Sequence, residues 1–291
     1  VQLCSTLKTY DCIRKELMGM NINEIFINAD FFSYAEVLNM RRVFTPIKIH
    51  SDGKSIYELR KKKSKFEIEQ VKKAIQITEE GLTYIMASLE EGMTEKKVAV
   101  ELEYYLKLKG ADELSFPIIV LFGDHTAYPH GDPGERKLKK GDVVLIDVGV
   151  KKNHYCSDMT RTFLFDGYNK DFDEHYEYLL KIQTDIIKSI KAGMSSAMLD
   201  IEVRNKLKER DLKKYYNHSL GHGVGVEVHE LPYLSYLKRK EKLNKKNLFT
   251  IEPGIYIPGK FGIRIEDMVY IDSNGKVEVL TTFPKDFLVV K

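Results

Sequence analysis

GDVVLIDVGVKKNHYCSDMT, residues 141–160, is the stretch that best predicts the fold of this chain. Its run VVLI is typical of a buried strand, and Asp147 stands where another apolar residue would be expected. After the turn-like segment KKNH, Asp158 comes next to a second strand, 11 residues beyond the first acid. Two strands facing each other in this way could place both carboxylates on one face of a hairpin.

A similar unit occurs near the C-terminus. The segment KNLFTIEPG (246–254) again has an apolar strand, an acid and a turn glycine, and its Glu252 lies 105 residues after Asp147. A second strand then carries Glu266 in the motif GIRIEDM. One acid at a strand end often only caps a turn, but four acids in matching positions are hard to explain in that way.

The helices before the two acidic hairpins also resemble each other. EEGMTEKKVAVELEYYLKLKG (90–110) is similar to KAGMSSAMLDIEVRNKLKERD (191–211), and the two Gly-Met pairs are 101 residues apart. In each segment, Gly-Met precedes a Thr or Ser that can cap an amphipathic helix. The sequence therefore predicts an α+β fold in which two halves face each other, and each half contributes one acidic hairpin to a central site.

The chain is predicted to change character near residues 60–64. Before this point the pattern is a weak mixture, with a helix at KTYDCIRKELMGM and a strand at NEIFINA. From Ser64 a long helix is predicted, with apolar residues at helical spacing. Those residues are Ile68, Val71, Ile75, Leu82, Ile85 and Leu89. We expect a short N-terminal segment, 1–63, and a catalytic domain, 64–291.

Five residues form the predicted site for two divalent metal ions: Asp147, Asp158, His222, Glu252 and Glu266. Buried carboxylates are costly unless they are paired or coordinate a metal. Oxygen-rich ligands with one imidazole favour Mn²⁺, Co²⁺, Zn²⁺ or Fe²⁺ over a metal that prefers thiolates. Two such ions roughly 3.5–4 Å apart can hold a bridging water and polarise a carbonyl. The glycines beside His222 would let its strand approach the ions closely.

Four further residues are predicted to lie around the metals. His218 and His222 are four residues apart in NHSLGHG, His229 follows in EVHEL, and His130 stands in the Gly/Pro-rich loop YPHGDPG. Arg264, two residues before Glu266, is expected on the same strand face, where it could bind a metal carboxylate or a substrate charge. The other histidines, His50, His125, His154 and His175, have no such setting.

Composition excludes several classes of protein. The 291 residues include 46 basic and 43 acidic side chains, and a net charge of +3 does not indicate a nucleic-acid partner. The basic runs RKKK (60–63) and KRKEKLNKK (238–246) are predicted to be solvated. No apolar run is long enough to span a membrane, and no signal-peptide pattern is seen. Three cysteines without a disulfide pattern predict a reducing cytoplasm.

These motifs resemble the M24 metallopeptidases, the pita-bread family, and most closely the Xaa-Pro dipeptidases (prolidases) and Xaa-Pro aminopeptidases. The resemblance covers about residues 55–291 and rests on the stretches around YPHGDPG, VVLIDVG, HYCSDMTRTF, NHSLGHGVGVEVHELP and FTIEPGIYIPGKFGIRIEDM. It implies a pita-bread fold with two halves related by a pseudo-twofold axis, and metal ligands at the five residues named above.

The resemblance also implies roles for the neighbouring residues. His130, His229 and His218 would bind the substrate and stabilise the tetrahedral intermediate, and Arg264 would support the site. Glu252 would also shuttle the proton of the bridging water. The implied partners are two divalent ions, most readily Mn²⁺ or Co²⁺, and a small peptide, in a cytoplasmic enzyme that acts before proline. A homodimer is left open.

Two departures from the family pattern keep alternatives open. FGDHTAYPHG replaces the more usual SGxxxAxPHG, and the N-terminal segment reads as a shortened remnant of a fuller α/β domain. Methionine aminopeptidase is a second enzymatic interpretation, although His218 and Arg264 favour the proline-specific branch. A catalytically silent binding protein on the same fold is a third, but such a protein should have lost at least one of the five ligands.

Overall fold

The structure is a computed structural model that describes residues 9–286 and 289–290, and the chain divides into units of residues 1–60 and 61–291. The assignment of residues 1–63 to the remnant of a larger domain stays a prediction. Among the described residues, no helix is both long enough and apolar enough to cross a membrane.

The first unit is a small α/β arrangement. Its elements are α1 (Thr9–Gly19), β1 (Glu24–Ile27), α2 (Tyr34–Val43), β2 (Lys48–Ser51) and α3 (Gly53–Arg60), with a 3-10 turn at Ala29–Phe31. The two strands pair in parallel, and Met40, Phe44 and Ile47 form their own small core. The helix and strand predicted for this region are confirmed as α1 and β1.

The helices described in the second unit are α4 (Lys65–Ser88), α5 (Glu95–Leu108), α6 (Lys170–Ser189) and α7 (Ser196–Glu209). The starts of α4, α5 and α7 lie where the sequence predicts them, whereas no prediction was made for α6. Ser64 caps α4 in a reciprocal arrangement with Glu67, which satisfies two backbone N–H groups that the first turn would leave open. All six apolar residues predicted for this segment are buried, so the predicted helix and its core-facing side are confirmed.

In the described part of the second unit, the strands form two main sheets and two smaller ones. They are β3 (Glu113–Leu114), β4 (Ile119–Phe122), β5 (Val143–Val148), β6 (Val150–Lys152), β7 (Tyr155–Cys156), β8 (Met159–Phe165), β9 (Gly221–Gly223), β10 (Glu230–Leu234), β11 (Leu248–Ile251), β12 (Gly254–Ile257), β13 (Phe261–Arg264), β14 (Asp267–Ile271), β15 (Val277–Val279) and β16 (Val289–Val290). The main sheets have the orders β16-β8-β5-β4 and β10-β9-β11-β14-β15. The smaller ones are β3-β6-β7 and the hairpin β12-β13.

The two halves of this unit repeat each other in detail. Gly92 and Gly193 both have a positive φ, 91° and 88°, before their helices. Their N–H groups donate to the carbonyls of Leu138 and Leu243, at 2.8 and 2.6 Å. The pattern differs at the cap: Thr94 Oγ1 accepts from the backbone of its helix, whereas Ser195 makes no such bond. One apolar core forms around α4 and α5 and another around α6 and α7, as expected for a duplicated fold.

The acidic hairpins meet between the halves. Strand β5 pairs antiparallel with β8, and Asp147 lies opposite Thr160. In the second half β11 pairs with β14, which places Ile251 opposite Asp267, and the hairpin β12–β13 projects between them. Glu252 and Glu266 therefore lie side by side where the chain enters and leaves that hairpin.

One expectation about the basic runs was wrong. Lys61 and Lys63 are buried, although the run RKKK was predicted to be solvated. Lys61 forms an ion pair with Glu241, and Lys63 forms one with the equally buried Glu230. A buried ammonium group is tolerated when a carboxylate accompanies it, and composition alone does not reveal such a pairing.

Candidate metal centre

The structure brings all five predicted ligands to the floor of one pocket of about 440 Å³. Asp158, His222 and Glu266 are the most tightly clustered, since each offers a ligand atom and these atoms lie within 4.8 Å of one another. Asp147 and Glu252 line the same pocket. Four of the five, Asp147, Asp158, His222 and Glu266, are less than one-tenth exposed, so the cluster lies away from bulk water.

The orientation of His222 is the most informative feature of this cluster. Its Nδ1 lies 3.1 Å from the carbonyl oxygen of Gly223, and a carbonyl only accepts, so Nδ1 carries the hydrogen. Its Nε2 faces carboxylate oxygens of Glu252 and Asp158 at 3.3 and 3.6 Å. A bare nitrogen lone pair facing two anions is repulsive, so this geometry requires a cation, either a proton or a metal ion, between them.

The glycines beside His222 allow this placement. A Cβ at Gly221 would lie 2.0 Å from the carbonyl oxygen of Thr250, and one at Gly223 would lie 2.2 Å from that of Leu231. Larger residues would push β9 away from its neighbours and remove the His222 ring from the carboxylates. The close approach expected from the Gly-rich motif is therefore present.

The carboxylates also fit divalent ions. Burial and the neighbouring acids raise the pKa of Asp158 and of Glu266 well above the usual range. Burial likewise raises the pKa of Asp147, against the effect of Arg264. Asp147 Oδ1 is buried and has no hydrogen-bond partner among the described residues. Four crowded acids, an unsatisfied oxygen and an inward-facing imidazole nitrogen form a donor set that divalent cations would satisfy.

Arg264 is the cation that the protein itself supplies to this cluster. Its Nη2 donates to Asp147 Oδ2 at 2.6 Å, and its Nε donates to Thr160 Oγ1 at 2.9 Å. Thr160 in turn donates to Glu266 Oε2 at 2.7 Å. Arg264 therefore orients one acid from each hairpin, one directly and one through a hydroxyl group.

The same arginine connects to His218 through Tyr256. Arg264 Nη1 donates to the Tyr256 hydroxyl at 2.8 Å, and that hydroxyl lies 2.9 Å from His218 Nε2. Because the arginine can only donate, the hydroxyl hydrogen is available for His218, whose Nδ1 donates to the Ser219 carbonyl at 2.7 Å. Burial lowers the pKa of His218 to about 4. His218 is thus a neutral ring with both nitrogens engaged.

His229 and His130 lie at the open side of the pocket. The His229 ring centre is 4.1 Å from that of His222, and both His229 and His130 line the cavity with accessible side chains. The surrounding pocket wall desolvates the charged form of His229, and with the His222 ring it lowers the pKa of His229 to about 4. A neutral imidazole there can donate a hydrogen bond to a substrate oxygen.

Tyr256 and Thr160 are parts of this site that the sequence interpretation missed. Residues that alternate along a strand share one face. By that rule Tyr256 belongs with Glu252 and Gly254, and Thr160 belongs with Asp158. A Cβ at Gly254 would lie 2.5 Å from the Tyr256 hydroxyl, so glycine is needed there. The alternation of side chains along the strands could have indicated that Tyr256 and Thr160 face the site. It could not have indicated the hydrogen bond between Arg264 and Tyr256.

Comparison with known proteins agrees with this geometry. The sequence model of Metallopeptidase family M24 matches residues 69–273. An uncharacterized peptidase of Staphylococcus aureus is 38% identical over 272 residues, which cover 92% of this chain and 76% of the relative. A second uncharacterized peptidase, from Staphylococcus epidermidis, is 38% identical over 263 residues, 90% of this chain and 74% of that protein.

Solved structures resemble almost the whole chain. An X-Pro aminopeptidase from Thermotoga maritima has a TM-score of 0.94 at 33% identity, covering 100% of this chain and 82% of that one. An Xaa-Pro dipeptidase from Bacillus anthracis has a TM-score of 0.92 at 32% identity, with coverages of 98% and 79%. A prolidase from Pyrococcus furiosus has a TM-score of 0.84 at 35% identity, covering 97% of this chain and 81% of that one. These likenesses confirm the α+β pita-bread fold preceded by a short α/β segment.

Proposed function

This chain belongs to metallopeptidase family M24, and we propose that it cleaves the peptide bond before proline, in Xaa-Pro dipeptides or at the N-terminus of longer Xaa-Pro peptides. The observation that carries the proposal is the inward-facing Nε2 of His222 among buried carboxylates, at the floor of a pocket that a small peptide can enter. The family implies metal ions and a peptide substrate; the preference for proline is our proposal.

We assign two divalent cations to Asp147, Asp158, His222, Glu252 and Glu266, with Mn²⁺ or Co²⁺ as the preferred ions and Zn²⁺ or Fe²⁺ as alternatives. When bound, such ions lower the pKa of water and polarise a carbonyl group. The protein supplies the donor atoms and holds them in place through Arg264 and Thr160. Removal of water from the pocket by the substrate would strengthen each of these electrostatic contacts.

Proton transfer is assigned to Glu252. Burial disfavours its charge, yet in the metal-free protein the adjacent His222 lowers the pKa of Glu252 to about 2, so that without metal it is an anion at neutral pH. Its carboxylate would accept a proton from the attacking water and deliver it to the proline nitrogen as the peptide bond breaks. Any amide nitrogen must gain a proton as its C–N bond breaks, and here that proton is the one that Glu252 has taken from the water.

Hydrogen-bond donors for the reacting carbonyl are assigned to His229 and His130, which face the pocket. Donors placed where negative charge develops stabilise the transition state more than the ground state. We assign a different role to His218. Both of its ring nitrogens form hydrogen bonds, with the Ser219 carbonyl and the Tyr256 hydroxyl. It would therefore hold these groups in place, and the substrate carbonyl would be bound by His229 and His130.

The proposed preference for proline has two supports. Several similar structures are named as X-Pro aminopeptidase, Xaa-Pro dipeptidase or prolidase. The pocket also has an apolar wall that suits a pyrrolidine ring, formed by Phe116, Pro117, Ile118, Ile119 and Pro129. A site that acts on the carbonyl oxygen can dispense with the amide hydrogen that an Xaa-Pro bond lacks.

We expect kcat/KM for Ala-Pro to exceed that for Ala-Ala by at least about tenfold, a difference of about 1.4 kcal/mol in transition-state binding. The physical reason is burial of the ring against the apolar wall. Both dipeptides, together with Ala-Pro-Ala and a Met-Ala peptide, are compared under one metal at one pH. Equal kcat/KM values for Ala-Pro and Ala-Ala would overturn the proposed preference for proline but leave the assignment as a peptidase intact. A marked preference for Met-Ala would instead support methionine aminopeptidase.

His229→Ala should lower kcat by about 10²–10³-fold, the usual loss when one donor to a developing oxyanion is removed. Metal content should stay unchanged, because His222 and the acids remain. Turnover at saturating metal and bound metal per chain are the two measurements, and His175→Ala, on α6 outside the pocket, is the matched control. A variant that loses metal but turns over normally when metal is saturating would place His229 among the metal ligands.

A further inference from the structure

Glu95 is a buried carboxylate that lies outside the residues lining the pocket, in the first turn of α5. One oxygen, Oε1, accepts from the backbone N–H of Phe122 at 2.8 Å. The other, Oε2, accepts from the backbone N–H of Gly134 at 2.9 Å. These two N–H groups are the ends of one loop, 122–134, so a single side chain binds the loop at both ends.

Contacts of His125 and of the α5 backbone strengthen this attachment. His125 Nδ1, inside the loop, lies 3.1 and 3.3 Å from the two oxygens of Glu95. The backbone of α5 contributes as well, because Glu95 N donates to the Arg136 carbonyl and Lys96 N donates to the Gly134 carbonyl. The first turn of α5 therefore binds the loop through both its backbone and the Glu95 side chain. The carboxylate also satisfies N–H groups that would otherwise be buried without partners.

The middle of the loop reaches the pocket. Pro129 and His130 line the cavity, and the Pro129 carbonyl accepts from Arg264 Nη1 at 3.2 Å. In the described part of the chain, neither a hydrogen bond nor a ring contact restrains the His130 side chain. The position of this ring is therefore set by the loop backbone, which is fixed at its ends by Glu95 and near its centre by Arg264.

We propose that Glu95 is a positioning residue that holds loop 122–134 at both ends and thereby places His130 over the substrate carbonyl. The inference rests on the proposed function through the role given there to His130. Among the described residues, Glu95 neither lines the pocket nor forms a hydrogen bond with a proposed metal ligand, so its influence on turnover would pass through the loop.

The test is a double-mutant cycle of Glu95→Gln and His130→Ala with the metal-loaded enzyme and Ala-Pro. Glutamine keeps the size of Glu95 but replaces one acceptor oxygen with an NH₂ donor, which must face an N–H and so release one end of the loop. We expect Glu95→Gln alone to lower kcat/KM about tenfold, in the range found when an outer supporting hydrogen bond is lost. In the His130→Ala background, Glu95→Gln should lower kcat/KM by less than about twofold, since the side chain through which Glu95 acts is already absent.

The control is Glu103→Gln, which alters an exposed carboxylate of the same helix that pairs with Lys107 and should leave activity unchanged. Hydrogen exchange of the amides in 122–134 gives a second readout, which should quicken in Glu95→Gln and stay unchanged in the control. Should Glu95→Gln fail to fold, Glu95→Asp enters the same cycle, because its shorter side chain keeps the charge but cannot reach both ends.

The outcomes separate the two proposals. If His130→Ala retains full activity, the role given to His130 in the proposed function is wrong and Glu95 cannot act through it. If His130→Ala is impaired but Glu95→Gln is fully active, or if the two losses multiply, the inference about Glu95 alone is overturned. Unchanged hydrogen exchange in the loop would also overturn it.

Discussion

Protein stripped of divalent cations by a chelator should hydrolyse Ala-Pro at no more than the background rate, and Mn²⁺ or Co²⁺ should restore the activity. The loss should exceed about 10³-fold, since enzymes accelerate such reactions by about 10⁶-fold or more. The cause lies in the site itself: without cations, four crowded carboxylates surround an imidazole nitrogen that faces two of them. Turnover is measured before chelation, after it and after each metal is added back.

Binding and stability measurements complete this test. Titration should give two cations per chain. Metal at a hundredfold excess over Kd should raise the free energy of unfolding by about 2.7 kcal/mol, and the melting temperature should rise accordingly. Circular dichroism of the stripped protein should still show the folded α+β signal, which separates loss of metal from loss of structure. Full hydrolysis by protein without measurable cations would overturn the assignment, and one cation per chain would reduce the centre to a single ion.

Local features of the chain were predictable where sequence neighbours alone determine the structure. Ser64 and Glu67 are three residues apart and cap each other, so the start of α4 is encoded within a single turn. The repeated Gly-Met pairs are similar, because a glycine with positive φ is required before each helix and few other residues accept that conformation. The clustering of the four acidic ligands followed from this repetition, since two similar halves bring their acidic hairpins to one place.

Contacts between distant segments were not predictable in the same way. Arg264 and Asp147 are 117 residues apart, and Glu95 and Gly134 are 39 apart. The pattern of apolar residues around Glu95 describes a helix, and nothing in it indicates that its first acid turns inward to bind a loop. Lys63 shows the same limit, because its basic neighbours suggest solvent and only the fold brings Glu230 to it.

Asp158→Asn should reduce kcat/KM by more than about a hundredfold, beyond the 10- to 100-fold expected when only an outer partner of a metal ligand is lost. Asparagine preserves the volume of Asp158 but removes a charge that the two cations require, and a neutral amide is a weaker ligand for them. Activity on Ala-Pro and metal content are measured together. The matched control, Asp185→Asn, alters a surface acid of α6 and should match the original protein.

Stability distinguishes a lost ligand from a damaged fold. Burial and the surrounding acids raise the pKa of Asp158 in the absence of metal, so its charge works against the metal-free folded state. The metal-free Asp158→Asn protein should therefore melt at the same temperature as the unchanged protein, or above it, whereas Mn²⁺ should raise its melting temperature by less. A variant that keeps full turnover would contradict the ligand assignment. So would an inactive variant that binds two cations as tightly as before, because Asp158 would then act on the substrate and not on the metals.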